Sequence, residues 1–92
     1  SLGSSLYQLG QMENAAASYR KALAIMPAHV NSHNNLGIVL QELGELDEAV
    51  ASYQQAITIK PDYAEAHYNL GNAWYRKGDP ARAIGWWRWR FR

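Results

Sequence analysis

The chain has no cysteine, which excludes a disulfide framework, a thiolate metal site and a cysteine nucleophile. No Asn-x-Ser/Thr acceptor occurs either. Gln, Glu, Lys or Arg interrupts every apolar stretch within a few residues, so a membrane span of about 20 apolar residues is not expected. Residues 1–10 lack a basic start followed by a continuous apolar run, so a secretory signal is not expected there. The chain is expected to be soluble; the lack of cysteine leaves the redox compartment open, and an intracellular location is the working expectation. What is present is ordinary for a globular protein: 92 residues, 48% of them apolar, enough for one small domain. A chain of this size buries a smaller share of its surface than a large domain does, and its stability is expected to be modest.

Charge is unevenly placed. Up to Tyr75 three cations (Arg20, Lys21, Lys60) oppose seven anions, a balance of −4; from Arg76 onward six cations oppose only Asp79, a balance of +5. The two parts are suited to different partners, or to each other's copies.

An internal repeat decides the fold. Pro27 and Pro61 stand 34 residues apart, and the same offset relates Leu2, Leu36 and Leu70; Gly3, Gly37 and Gly71; and Gly10, Gly44 and Gly78. It also relates Ala15, Ala49 and Ala83; Tyr19, Tyr53 and Trp87; Ala22 and Ala56; and Ile25 and Ile59. Inside one unit the recurring residues are three, four or seven apart, as in Leu36, Leu40 and Leu43 and then Ala49, Tyr53, Ala56 and Ile57. That is helical periodicity, with no alternating strand pattern.

Each unit therefore holds two helices. Gly44 and Gly78 supply a residue that tolerates the left-handed conformation at the end of the first, and Pro27 or Pro61 ends the second. Asp47 and Asp79 sit where a helix N-terminus favours a carboxylate, and Pro80 suits a first turn. Helices are expected over roughly 1–9, 13–26, 30–43, 47–59, 64–77 and 80–90, with ends uncertain by about 2 to 4 residues. Gly37, Gly71, Ala49 and Ala83 remove bulk so that antiparallel axes approach closely, while Tyr53 and Trp87 fill the wider part of the gap.

This order of Leu-Gly, small residue, aromatic, Ala and Pro at a 34-residue period resembles the tetratricopeptide repeat (TPR) over nearly the whole chain, to about Trp87. The expected fold is an all-α, right-handed superhelical solenoid of antiparallel helix pairs, about two and a half repeats in one domain spanning 1–92. Residues 1–29 form a partial repeat, 30–63 a complete one and 64–92 a third with an atypical Trp/Arg-rich end. The pattern is that of an excerpt from a longer array.

The resemblance implies a protein-interaction scaffold, in which the first helices line a concave groove that holds a peptide. Asn35 and Asn69 stand immediately before the Leu-Gly pair on the face assigned to that groove. Repeats like those of O-linked N-acetylglucosamine transferase carry an asparagine ladder there, and a carboxamide offers the donor and acceptor that an extended main chain needs. The alternative is that both are solvated residues retained by duplication. His33, His67, Asn72 and Tyr75 complete the expected peptide-binding set. The family's dicarboxylate clamp for acidic chaperone tails is disfavoured, because Glu65 and Asn69 stand where cations are needed and Ser4 replaces the first repeat's Asn.

His29 and His33 have the spacing of helical metal ligands, yet His29 is expected in the turn and no third ligand is evident, so repeat-equivalent groove or interface histidines are the better reading. Ser18 and Ser52 lack a positioned His and carboxylate, and there is no Gly-rich phosphate loop. No catalytic, cofactor or metal site is expected.

Residues 85–92, GWWRWRFR, depart from the family pattern, with Arg90 at the position of Ala22 and Ala56. Trp86 and Trp89 are expected to point outward. They suit coverage by a following repeat or self-association through open solenoid ends. Contact with bases or an anionic membrane is the lesser alternative, and no nucleic-acid partner is expected, since the run is short and the rest of the chain is acidic.

Overall fold

The computed structural model describes residues 2–79 and 81–84, with side chains from Gln8 onward. Four helices run in order: α1 Leu2–Ile25, α2 Val30–Glu42, α3 Leu46–Ile59 and α4 Ala64–Arg76, with residues 81–84 also helical. No strand occurs among the described residues. Each helix packs on the next, and α2 also touches α4 across α3. First helices of successive units thus stack beside one another, as a helical-repeat solenoid requires.

The turn between α2 and α3 depends on Gly44, whose φ of 81° is open to glycine and strained for residues with a Cβ. Its amide donates to the Gln41 carbonyl at 3.1 Å and the Glu45 amide to the Leu40 carbonyl at 2.9 Å, the paired bonds of a Schellman ending. Gly78, with φ 87°, repeats it through Gly78 to Tyr75 at 3.0 Å and Asp79 to Trp74 at 2.9 Å. The Asp79 carboxylate then accepts from the Arg82 amide at 3.2 Å, capping the next turn. At the opposite ends, α1 and α3 stop at Ile25 and Ile59, two residues ahead of Pro27 and Pro61, where the proline ring bars a helical predecessor.

The expected break at Gly10 does not form. The helices expected over 1–9 and 13–26 are one continuous helix, α1, and Gly10 lacks the positive φ of Gly44 and Gly78. Against Gly78 the following residues account for the difference. Gln11, Met12 and Glu13 are good helix formers, whereas Gly78 leads into a capping Asp79 and then Pro80. Gly44, followed by the helix formers Glu45 and Leu46, keeps its turn with the paired bonds to the Gln41 and Leu40 carbonyls.

The core gathers Ala16, Leu36, Leu40, Ala49, Val50, Tyr53, Leu70 and Ala73. Its centre is the meeting of Gly37 on α2 with the Tyr53 ring on α3. A Cβ added at Gly37 would stand 2.7 Å from Tyr53 Cδ1 and 2.9 Å from Cζ, so only glycine admits the ring at this depth. Tyr53 is fully buried, and its hydroxyl donates to Gln41 Oε1 at 2.9 Å. Burial pushes this phenol far above the usual tyrosine range; Arg76 partly opposes the shift and Glu42 adds to it.

Gly37→Ala is expected to displace the Tyr53 ring and cost about 1–3 kcal/mol, read from chemical denaturation. Alkali offers a second measurement. The folded state resists ionising Tyr53, so its contribution is intact below the ordinary phenol pKa of about 10 and declines as the pH rises above it. The stability difference between the wild type and Tyr53→Phe should therefore be constant to about pH 9 and shift against the wild type above about pH 10; a difference independent of pH would contradict the assignment.

Candidate peptide-binding face

Three or four residues of helix return a side chain to the same side, so Asn31, Asn35, Ile38 and Glu42 share one face of α2, and Glu65, Tyr68, Asn69, Asn72 and Tyr75 share one of α4. The two faces adjoin. Asn69 reaches back from α4 to α2, where its Nδ2 donates to Asn34 Oδ1 at 3.1 Å. Asn34 is 2% exposed, so this bond satisfies a carboxamide oxygen that lies out of reach of water.

The expected binding residues divide into two groups. Asn35, Asn69 and Asn72 are half-buried on the shared face, and Tyr75 is 59% exposed beside them. His33 and His67 bond to the turns. His33 Nε2 donates to the Pro27 carbonyl at 2.8 Å, and His67 Nε2 donates to the Pro61 carbonyl at 2.7 Å. In both repeats the ring closes the proline turn onto the helix it precedes, which is the physical reason a histidine recurs there.

His29 is occupied too. It is the N-cap of α2, with Nδ1 accepting from the Ser32 amide at 3.3 Å and standing 2.5 Å from the Ser32 hydroxyl. Among the described residues no group of three or more His, Asp or Glu is placed to hold a metal. Trp86 and Trp89 lie outside the described residues.

Two features escaped sequence reasoning. Ile38 and Tyr68 are 40% and 41% exposed on the same face and give it apolar surface between the asparagines; their helical spacing from Asn35 and Asn72 was the available signal. The second is a cavity of about 710 Å³ where the two proline turns stack, lined by Met26, Pro27, Ala28, His29, Val30, Asn31, Lys60 and Tyr63. Lys60 Nζ stands 5.5 Å from the centre of the Tyr63 ring. The Tyr63 hydroxyl lies 3.1 Å from Asn31 Oδ1 and 3.4 Å from Glu65 Oε2, and burial, reinforced by Glu65, raises its pKa. Asn31 lies one turn before Asn35, so the cavity opens at one end of the asparagine face.

Past Tyr75 the surface changes sign. Lys77 donates to Asp47, and Lys77 and Arg82 stand 4.9 and 4.5 Å from the centre of the Trp74 ring. Basic groups of the third unit are thus tied to the second unit and to an aromatic face.

Stacked helix pairs, glycine-closed turns and a face built from first helices define a helical-repeat scaffold. The TPR-repeat model matches residues 3–44 and 40–78, and the chain belongs to the TPR family. TPR arrays are characteristically protein-interaction scaffolds rather than catalysts. Among solved structures, "Crystal structure of MamA" matches at TM-score 0.82 and 28% identity, over 95% of this chain and 51% of that one. "MamA 41-end from Desulfovibrio magneticus RS-1" matches at TM-score 0.85 and 22% identity, over 97% of this chain and 50% of that one, a likeness of fold alone. The chain spans about half the length of these structures. No curated protein matches it. No described helix is long and apolar enough to cross a membrane.

Asn69→Ala removes the bond to Asn34 and leaves a buried oxygen unsatisfied. A loss of about 1–3 kcal/mol in urea unfolding is expected, whereas Asn35→Ala, whose side chain makes no hydrogen bond to another described residue, should change stability by under about 0.5 kcal/mol.

Proposed function

We propose that the chain is a scaffold module that holds an extended peptide along the face formed by α2 and α4. The observation that carries this is the alternation of carboxamides (Asn35, Asn69, Asn72) with exposed apolar or aromatic side chains (Ile38, Tyr68, Tyr75) across two adjoining helices. Carboxamides meet the donors and acceptors of an extended main chain without selecting a side chain, and the aromatic surface adds area and selectivity. Asn69 has a double part: it joins the two repeats through Asn34 and keeps a carbonyl oxygen with which to accept from a peptide amide. His33 and His67 set the turns at the end of the face and touch the peptide little. Glu42 and Glu65 favour a neutral or basic peptide over an acidic one.

The test is a peptide selected from a displayed random library and titrated by fluorescence anisotropy. The Asn35→Ala, Asn72→Ala pair removes two main-chain contacts of about 1 kcal/mol each and should weaken binding roughly thirtyfold with the fold intact. Unchanged affinity in the folded double variant would dismiss the asparagine face as the binding surface.

A further inference from the structure

In the second repeat the first helix covers the second: α2 lies on α3, and Ala49, Tyr53 and Ala56 are each fully buried. Their equivalents in the first repeat are Ala15, Tyr19 and Ala22, all on α1 and all only half-buried. The segment whose sequence corresponds to α2, residues 2–10, continues straight from them in the same helix and cannot cover them. Gly3, the counterpart of Gly37, is sixteen residues from Tyr19, about 24 Å along a helix, where the equivalent pair in the second repeat is in contact.

We infer that the face of α1 carrying Ala15, Tyr19 and Ala22 is an interface for residues 2–10 of a second copy of this chain, with the two copies exchanging these segments reciprocally. Three observations meet here. The segment repeats the Leu-Gly of α2, Leu2-Gly3 for Leu36-Gly37, and so presents the same gap to a tyrosine. Charge agrees as well, for residues 2–10 contain no Asp, Glu, Lys or Arg and neither do the three residues they would cover. The new contact is also continuous with an existing one, since the partly buried Tyr19 already packs against the core.

Along the sequence of α1 the apolar residues follow no single helical stripe, and neither would the joined sequences of two helices meant to face each other. A closed hairpin opened at its turn is the usual route to such exchange, and Gly10 occupies the turn position. This inference does not rest on the peptide-binding reading, which concerns α2 and α4.

The experiment is light scattering of the 92-residue chain over a concentration series, with three variants. The wild type should pass from monomer to dimer as concentration rises. Gln11→Asp with Met12→Pro copies Asp79-Pro80, restores the turn within one chain and should give a monomer whose helical circular dichroism is retained. Gly10→Ala strengthens the straight helix and should tighten the dimer at least severalfold. Tyr19→Glu leaves the hinge alone, charges the covered face and should weaken the dimer at least tenfold. A wild type that stays monomeric throughout overturns the inference. So does a dimer that persists unchanged in the folded turn variant or in Tyr19→Glu, which would assign association to another surface such as the tryptophan-bearing end.

Discussion

Everything in this structure hangs on the approach of Gly37 to the Tyr53 ring. With no Cβ at 37, α2 settles onto an aromatic side chain that would otherwise hold the helices apart, and the ring fills the space left between them. The small residues Ala49 and Ala56 on either side of Tyr53 are fully buried for the same reason. Because the ring lies so deep, its hydroxyl needs a partner, and Gln41 on α2 supplies it. One contact thus sets the spacing, tilt and polarity of the pair, and the pair is what the repeats multiply.

That spacing creates the candidate face. Once each first helix is held on its second helix, α2 and α4 lie side by side, close enough for Asn69 to bond Asn34. The bond gives the face part of its stiffness, and a stiff face would lose less entropy in holding the flexible peptide proposed for it. The turn histidines reinforce this arrangement at one end: His33 and His67 each anchor a proline carbonyl, so the helices that present the asparagines begin at fixed points.

The first repeat shows the effect of weakening one element of the pattern. Its glycine, its small residues and its tyrosine are all present, but Gly10 is followed by residues that extend a helix as readily as they end one. The helix runs on, and the face carrying Ala15, Tyr19 and Ala22, whose counterpart α2 covers in the second repeat, is left half covered. A turn is a local balance between two backbone states, and at Gly44 and Gly78 the paired carbonyl bonds favour the left-handed one.

The amino-acid sequence by itself determined the class of fold, because a 34-residue recurrence of small, aromatic and proline residues is compatible with little but stacked helix pairs, and helical periodicity comes from the spacing of Leu36, Leu40 and Leu43. It also placed Asn35, Asn69, Asn72 and Tyr75 on one side of their helices, since that depends only on the helical turn of about 3.6 residues. Tertiary structure alone decided that Asn69 bonds Asn34, that His33 and His67 hold turns, and that Ile38 and Tyr68 stay exposed, for each depends on what the neighbouring helix brings near. It likewise decided the fate of Gly10. The same glycine reads identically in three repeats, and only the cooperation of its flanking residues with a packed partner selects a turn over a continuing helix.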